Sequence, residues 1–377
     1  MTPRVLHVVE SMDRGAIENG LVRMLKHGRA SGVELDWTFY CCLPGQGILE
    51  DQVRQLGARI IKTPVNLKQY FLFGRALRKE IATMNYDVLH SHHDFLSGLY
   101  LGAAAGLPLR QRIVQVHNAG EAVLTSNPVK QLIYKPLLRH TSLLLADRIV
   151  GVSDHTLDTF LEGRRRRPER DLVLYSGIEA GPFTGKSPDP RQFRLALGLS
   201  EDAVVLLFAG RMVAEKNPTF VIDVLLHLRS LDPRTVAVFA GSGPDEEKVL
   251  ERAQSLGLAD QVRVLGWRCD VPGILRCADL FIQPSPEEPM EGFGLAVVEA
   301  QLAGLRLLLS RGIADDPLLP NAAYRRLPLA NGPQAWATAA AELMGSPAPS
   351  SAEAIAALAA SPMDMDRALS NLLALHA

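Results

Sequence analysis

The sequence predicts an α/β protein with two parallel-sheet domains of the Rossmann-like type. Short apolar runs alternate with segments of helical periodicity along most of the chain, which is typical of consecutive βα units. The chain has 377 residues, too many for one ordinary hydrophobic core, and 47% of them are hydrophobic. We expect an N-terminal domain over residues 1–180 and a C-terminal domain over residues 190–350. Prolines and a glycine predict the linker: Pro182, Gly185, Pro188 and Pro190.

Composition and charge narrow the class of protein. No apolar run reaches the length of a membrane span, and residues 1–6 lead directly into a strand, so we expect no secretory leader. The four cysteines show neither Cys-x-x-Cys nor zinc-site spacing, which is typical of a reducing cytosol. We therefore expect a cytoplasmic protein without a nucleic-acid partner, and peripheral contact with the inner face of the plasma membrane stays open.

The two halves differ in charge. Residues 1–180 carry 23 Lys and Arg against 18 Asp and Glu, whereas residues 181–377 carry 17 against 23. This asymmetry indicates an anionic acceptor or membrane surface for the first half, or simple variation in surface charge. Four consecutive arginines at residues 164–167 are compatible with a solvated loop, or with contact to lipid headgroups or an acceptor pyrophosphate.

The first strand, over residues 4–10, leads into a glycine-containing loop. The helix that follows is marked by Ile17, Leu21 and Leu25. A strand, a glycine turn and a helix N-terminus form an anion-binding arrangement. Gly15 and Gly20 lack the Gly-x-Gly-x-x-Gly spacing of a dinucleotide fingerprint. An ordinary crossover without a ligand is the alternative.

Histidines follow two of the predicted strands. His90, His92 and His93 lie at the end of the strand that begins at residue 88, and His117 lies in the strand predicted over residues 112–118, near its end. Ligands of parallel sheets bind at the carboxyl ends of the strands. The His-x-His-His pattern is compatible with a metal, with the lining of an acceptor site, or with helix capping. Because no carboxylate or thiolate set completes the pattern, we expect no metal. His117 alone is compatible with a structural role.

Two cations straddle a glycine turn in the second half. An apolar run over residues 203–210 predicts a buried parallel strand, and Arg211 and Lys216 follow its end at Gly210. Arginine can bind two oxygens of a diphosphate at once, while lysine supplies a mobile point charge. Two surface cations in a loop are the alternative.

The most informative stretch is residues 279–302, which predict a short strand, an acidic loop and a helix. Gly292 and Gly294 would allow a ligand to approach the backbone, and the helix beginning near Leu295 offers free N–H groups to a phosphate. Glu291 precedes this helix and Glu299 lies about one and a half turns into it. Acidic residues near a helix start can also simply complement the helix dipole.

Glu291 and Glu299 form a Glu-x7-Glu pattern around Gly-Phe-Gly-Leu, and Glu-Ala-x-x-Ala-Gly begins at Glu299. This pattern resembles the donor-site signature of the retaining glycosyltransferase family 4. Gly-Arg-x5-Lys-Asn at residues 210–217 resembles the family's diphosphate clamp, and motifs cover residues 4–310 in the expected order. The resemblance implies the GT-B fold, in which two Rossmann-like domains face each other across a cleft. It also implies that a last helix, at about residues 355–377, packs back on the first domain.

The resemblance implies a retaining transfer of a hexosyl unit from a UDP- or GDP-sugar. The acceptor would be a hydroxyl of a glycan or lipid-linked oligosaccharide in bacterial surface polysaccharide synthesis. The nucleotide sugar would be a co-substrate, with no other cofactor and no metal.

The resemblance also implies four groups of site residues. The catalytic residues would be His117 and Glu291. The donor diphosphate would contact Gly15, Ala16, Arg211, Lys216, Gly294 and Leu295. The ribose and base would contact Glu299, Gly210, Trp267 and Arg268. The acceptor side would be lined by Arg14, Glu18, His92 and His93.

The sequence departs from the family pattern in the first loop, where Ala16 replaces the second glycine of a Gly-Gly pair. Two alternatives to transfer stay open, and Ala16 bears on the second of them. One is a GT-B epimerase acting on UDP-N-acetylglucosamine, which would need no acceptor. The other is a catalytically lapsed relative that binds nucleotide sugars without consuming them.

Overall fold

The computed structural model describes residues 2–13, 15–118, 128–185 and 189–377, and it describes residues 128–131 by their backbone alone. The chain divides into two compact units. Unit 1 comprises residues 1–178 and 362–377, and unit 2 comprises residues 179–361. Each contains one parallel sheet.

The sheet of unit 1 has seven strands in the order β3-β2-β1-β4-β5-β6-β7. They are β1 Arg4–Val9, β2 Asp36–Cys41, β3 Arg59–Lys62, β4 Val88–Ser91, β5 Gln111–Val116, β6 Arg148–Gly151 and β7 Asp171–Val173. The helices between them are α1 Ala16–Ala30, α2 Glu50–Gln55, α3 Tyr70–Met84, α4 Ser97–Ala103, α5 Pro128–Leu145 and α6 Asp154–Leu161. Every strand pair is parallel, as the βα alternation predicts.

The sheet of unit 2 has six strands in the order β10-β9-β8-β11-β12-β13, again all parallel. They are β8 Val204–Ala209, β9 Thr235–Ala240, β10 Val262–Val264, β11 Leu280–Gln283, β12 Arg306–Ser310 and β13 Tyr324–Leu327. The helices are α7 Gly181–Thr184, α8 Pro190–Ala196, α9 Pro218–Leu231, α10 Glu246–Ser255, α11 Val271–Cys277, α12 Leu295–Leu302, α13 Gly332–Gly345 and α14 Ser351–Ala360.

The last helix is α15 Met365–His376, which belongs to unit 1. The resemblance implies one last helix at about residues 355–377, but residues 361–364 separate α14 from α15. Pro362 explains the interruption, because proline lacks the N–H that a continuing helix needs. The side chain of Asp364 then caps α15 by accepting hydrogen bonds from the backbone of its first turn.

Both faces of the unit 1 sheet are buried. Alternate side chains of a strand point to opposite faces. Leu6 and Val8 of β1 therefore join one apolar cluster, while Val5 and Val9 join the other, which Leu372 and other apolar residues of α15 complete. His7 lies between Val5 and Val9 in the alternation, so it belongs to the face that α15 covers.

Among the described residues, no helix has the length and apolar character that crossing a bilayer requires.

Candidate active site

In unit 2 the chain order of neighbouring strands reverses between β8 and β11, which pair directly in the centre of the sheet. Parallel strands end at the same edge, so the loops that follow these two strands meet there. Such a reversal opens a crevice at the carboxyl ends and is the usual ligand site of an open α/β sheet. The loop after β8 carries Arg211 and Lys216, and the loop after β11 carries Glu291.

Gly210 lets the chain turn sharply as it leaves β8. Its φ is +145°, a conformation that side chains rarely adopt, and a Cβ there would lie 3.3 Å from Cδ of Lys216. The stem of Lys216 therefore runs directly over Gly210. Gly241 directly follows the neighbouring strand β9, and a Cβ there would lie 1.9 Å from the carbonyl oxygen of Gly210. Glycine at both positions allows the two turns to pack backbone against backbone.

The ammonium of Lys216 pairs with Oε1 of Glu291, although 75 residues separate them in sequence. The two side chains are only 20% and 12% exposed, so water screens the pair only partly. The other oxygen of Glu291 accepts hydrogen bonds from Oγ of Ser285 at 2.9 Å and from Nε2 of Gln283 at 3.2 Å. The Glu291 carboxylate is thus held on one side by a cation and on the other by two neutral donors.

The loop that carries Glu291 is fixed by its neighbours. The backbone N–H of Glu291 donates to the carbonyl of Gly312 at 2.8 Å, and the hydroxyl of Ser310 donates to the carbonyl of Ser285 at 2.5 Å. A Cβ on Gly312 would lie 2.0 Å from the carbonyl oxygen of Pro286, so the two loops touch through their backbones. These bonds position Glu291 before any ligand arrives.

Gly294 begins α12 beside this carboxylate. Its φ of +89° is the left-handed conformation, and a Cβ there would lie 3.9 Å from the carboxyl carbon of Glu291. The first N–H groups of a helix have no partner within the helix, so those at Gly294 and Leu295 are suited to an anion. Glu299 lies one turn further along α12, partly buried.

The remaining predicted residues of unit 2 are more exposed. Arg211 is exposed, and its guanidinium has no hydrogen bond or ion pair with any other described residue. Trp267 is 52% exposed. Arg268 makes a bidentate ion pair with Asp270, at 2.7 and 2.6 Å, which lowers the pKa of the Asp270 carboxyl.

In unit 1 the glycine-containing loop after β1, which the sequence predicts to bind an anion, leads into α1. Gly15 is the N-cap and Ala16 is the first helical residue. A Cβ on Gly15 would lie 1.8 Å from a carboxylate oxygen of Glu18, so the buried Glu18 side chain folds back over the helix start. This position matches the acidic member of a capping box. Arg14 lies outside the described residues.

The strand β5 ends at Val116, whereas the sequence predicts that it extends to Asn118. His117 therefore lies one residue beyond the end of the strand. Its backbone N–H donates to Oδ1 of Asp94 at 2.6 Å, and the amide of Asn118 donates to Oδ2 of the same carboxylate at 2.9 Å. The structure therefore fixes the His117 backbone from the loop that follows β4.

The imidazole of His117 is the outer end of a chain of histidines. Nδ1 of His7 lies 3.0 Å from Nε2 of His92, and Nδ1 of His92 lies 3.2 Å from Nε2 of His117. His93 is not part of this chain and pairs through Nδ1 with the hydroxyl of Tyr100 at 2.7 Å.

Burial keeps these imidazoles neutral. It lowers the pKa of His117 to about 3 and that of His93 to about 4, and it lowers the pKa values of His7 and His92 well below the ordinary value. A neutral imidazole carries one N–H and one lone pair, so each ring can donate once and accept once.

Among the described residues, the group that lies closest to the geometry of a metal site includes His90 of the His-x-His-His pattern but neither His92 nor His93. One ring nitrogen each of His7, His90 and His376 lies within 4.8 Å of the other two, and all three rings are buried. Nδ1 of His90 and Nε2 of His376 are 3.0 Å apart, the distance of a hydrogen bond between the rings. Neutral imidazoles can bind Zn²⁺ or Cu²⁺. This set contains no anionic ligand, so a buried divalent ion would keep its full charge.

Three supporting residues were not predicted from the sequence. Ser285 and Gln283 bind the Glu291 carboxylate, and Asp94 binds the backbone at His117. Gln283 does carry a signal, since a polar residue closes an otherwise apolar strand. Asp94 carries none, because its partners lie 23 and 24 residues further along the chain.

Two family models match this chain, one in each half. Residues 17–181 match the family model described as Glycosyltransferase Family 4, and residues 190–314 match the model described as Glycosyl transferases group 1. The chain therefore belongs to the family 4, group 1 glycosyltransferases, and it is a transferase enzyme.

Individual relatives of the chain are also named as glycosyltransferases. The chain is 26% identical over 343 residues to a Bacillus subtilis (strain 168) protein named as a glycosyltransferase, EpsF, covering 89% of this chain and 86% of that protein. It is 25% identical to the Escherichia coli UDP-Gal:alpha-D-GlcNAc-diphosphoundecaprenol alpha-1,3-galactosyltransferase over 72% of this chain and 70% of that enzyme.

Solved structures share the fold. Anabaena HepE in complex with UDP has a TM-score of 0.78 at 17% identity, covering 99% of both chains. WaaG, a glycosyltransferase involved in lipopolysaccharide biosynthesis, has a TM-score of 0.69 at 17% identity, with 98% of this chain and 99% of that chain covered. The fold is GT-B, as the sequence resemblance implies.

Proposed function

We propose that the enzyme transfers a hexosyl unit, with retention of anomeric configuration, from a UDP- or GDP-sugar to a hydroxyl of a glycan or lipid-linked oligosaccharide. The observation that carries this proposal is the convergence of Lys216, Glu291 and the N-terminus of α12 at the β8–β11 reversal. These three groups supply a cation, a hydroxyl-binding carboxylate and free amides within one site.

The diphosphate of the donor would bind at Lys216, Arg211 and the amides of Gly294 and Leu295. Negative charge develops on the leaving diphosphate during transfer, and fixed cations and amides stabilise such charge most when they are already in place. Arg211 is unpaired within the described chain, and its guanidinium can donate hydrogen bonds to two phosphate oxygens at once. Lys216 would exchange its carboxylate partner for phosphate. We propose that these groups do without a metal ion.

The sugar and nucleoside would bind beside the diphosphate. Glu291 would accept hydrogen bonds from sugar hydroxyls and Glu299 from the ribose, while Trp267 and Arg268 would flank the base. On unit 1, His117 would contact the sugar, and Gly15 and Ala16 would lie near the diphosphate. His92, His93 and Glu18 would belong to the acceptor side.

The names of relatives suggest which donor and acceptor to test first. HepE was solved with UDP and with UDP-glucose, and the Escherichia coli relative is named for a UDP-galactose donor and a diphosphoundecaprenol-linked acceptor. We therefore propose a UDP-sugar and a lipid-linked acceptor as the first pair, within surface polysaccharide synthesis.

A lipid-linked acceptor would require contact with a membrane, and unit 1 has a surface suited to it. Leu132, Ile133, Leu137 and Leu144 of α5 are 54–78% exposed. One cavity is lined by Leu144 together with residues 164–167, the four arginines. Exposed leucines beside arginines are suited to a peripheral contact with anionic lipid. Sedimentation with phosphatidylglycerol vesicles should carry the protein down and phosphatidylcholine vesicles should not; equal sedimentation would contradict this contact.

A donor screen tests the proposed function. The protein should be stabilised thermally by one class of nucleotide sugar and should convert it only when an acceptor is present, and NMR of the product should show the donor's anomeric configuration. Product formed from the donor alone would identify an epimerase. Binding without consumption of any donor would identify a lapsed relative. An inverted product would refute retention. Lys216→Ala should weaken nucleotide binding, whereas Lys248→Ala, which removes an exposed lysine of unit 2, is the matched control.

A further inference from the structure

The chain from His7 through His92 to His117 connects the buried interior of unit 1 to the residue that we propose contacts the sugar. His7 lies at the centre of β1 and is fully buried, His92 follows β4 and is 2% exposed, and His117 follows β5. The three strands are consecutive neighbours in the sheet, so this register brings the rings together. The backbone of His92 is itself held by a hydrogen bond to the carbonyl of Val8 at 3.1 Å.

Two hydrogen bonds between three neutral rings can run in only two directions. In the outward direction, Nδ1–H of His7 donates to His92, and Nδ1–H of His92 donates to Nε2 of His117, which leaves the proton of His117 on Nδ1. In the inward direction every proton moves to the other nitrogen. His117 would then carry its proton on Nε2, and His7 would carry its proton on its own Nε2.

The surroundings of His7 favour the outward direction. Its Nε2 is buried and has no hydrogen-bond partner among the described residues. The ring stacks on Phe39 and meets the edge of Trp37, with ring centroids 5.4 and 4.6 Å away. The inward direction would place an N–H at this position without an acceptor, and orphaned buried N–H groups are rare in proteins. The outward direction leaves only a lone pair there, and we expect it to be favoured on the order of tenfold.

We propose that His92, itself oriented by His7, is a positioning residue that fixes His117 in the tautomer with its proton on Nδ1. His117 would then act as a hydrogen-bond donor toward an oxygen of the bound sugar, and its Nε2 would not be available as a base. The low pKa values described above agree with three neutral rings. This inference rests on the proposed function only for the identity of the group that meets Nδ1.

Nitrogen NMR of the resting protein tests the tautomer without any substrate. Two-bond ¹H–¹⁵N spectra of histidine-labelled protein distinguish Nδ1–H from Nε2–H, and the His117 signals are assigned by their loss in His117→Asn. In the native protein, His117 should carry its proton on Nδ1. His92→Asn should keep this tautomer, because the asparagine amide can donate from the position of Nδ1. His92→Phe should lose the preference, since phenylalanine fills the space without a donor.

Kinetics give a second readout. Relative to His92→Asn, we expect kcat of His92→Phe to be about tenfold lower, with the donor KM of the two variants differing by less than about threefold. If the phenylalanine variant does not fold, His92→Gln replaces it, because its amide reaches the position of Nε2 and cannot donate from that of Nδ1. An Nε2–H tautomer of His117 in the native protein, or an Nδ1–H tautomer that survives in the donor-free variant that folds, would overturn the proposal. The expected tautomers in a protein that consumes no sugar donor would refute the proposed function and leave this inference standing.

Discussion

Replacing Glu291 by glutamine should make nucleoside diphosphates bind more tightly, although it should slow transfer. Glutamine keeps the shape of the side chain and can still bond with Ser285 and Gln283, so the loop should stay in place. It removes the negative charge that holds the Lys216 ammonium. Lys216 would then be free for phosphate, and the repulsion between the carboxylate and the diphosphate would be gone.

The size of the effect follows from the burial of the pair. Exposed ion pairs contribute about 0–1 kcal/mol, and breaking a fully buried pair costs about 3–5 kcal/mol. With side chains 20% and 12% exposed, the Lys216–Glu291 pair lies between these limits. We take about 1–2 kcal/mol, which corresponds to about fivefold to thirtyfold tighter binding. Transfer should fall by on the order of 10²–10³-fold, because the carboxylate that would hold the sugar is lost.

Isothermal titration with UDP and GDP measures the change in affinity, and product formation measures transfer. Glu288→Gln is the matched control, because Glu288 is an exposed acid of the same loop with no contact to Lys216. The control should change nucleotide affinity by less than about twofold, since an exposed charge is screened by salt. Unchanged or weaker nucleotide binding in Glu291→Gln would refute the view that this carboxylate competes with the diphosphate.

Three further predictions concern the frame around the site. Gly294→Ala should lower the free energy of unfolding by about 1–3 kcal/mol, because φ is +89° there, while Gly345→Ala should have little effect; chemical denaturation compares them. Arg194→Ala breaks an ion pair in which Nη2 of Arg194 lies 3.0 and 2.9 Å from the two carboxylate oxygens of Asp279, and it should cost about 2 kcal/mol of stability in the same measurement without changing transfer. Because the pKa of His117 is lowered to about 3 in the folded protein, unfolding below pH 6.5 takes up protons. The stability present above pH 6.5 should therefore be lost as the pH falls toward 3, by about 1.4 kcal/mol per pH unit for each such histidine, and a melting temperature that stays constant from pH 7 to 5 would contradict this.

The strands of the sheet interiors could be predicted from the sequence because burial on both faces makes them continuously apolar. The runs that form β8 and β11 consist almost entirely of apolar residues, and both are buried. The edge strand β13 Tyr324–Leu327 escaped prediction for the opposite reason. Its sequence, Tyr-Arg-Arg-Leu, is half exposed and has neither an apolar run nor clean alternation.

The candidate site could be predicted only as separate pieces. The glycine turn at Gly210, the cation at Lys216 and the carboxylate at Glu291 each have a local signal, but their contact depends on β8 and β11 being neighbours. Strand order is a property of the whole sheet, and no spacing along the chain encodes it. The histidine chain depends on the order β1-β4-β5 in the same way, and the fully buried His7 gave no sign of a role.

The structure adds one physical point that the motifs alone do not contain. The sequence predicts an anion at two helix starts, and at each of them a carboxylate of the protein already stands. Glu18 folds over Gly15 at the start of α1, and Glu291 lies beside Gly294 while it pairs with Lys216. At Lys216 a donor diphosphate would therefore exchange with the Glu291 carboxylate, while Arg211, unpaired among the described residues, stays available to it. The affinity of this exchange is the difference between two similar interactions. The acidic residues of these motifs would therefore have two effects: they would bind sugar hydroxyls, and they would limit how tightly the nucleotide product is held. An enzyme that must release a nucleoside diphosphate after each transfer gains from such an exchange, because slow product release can limit turnover.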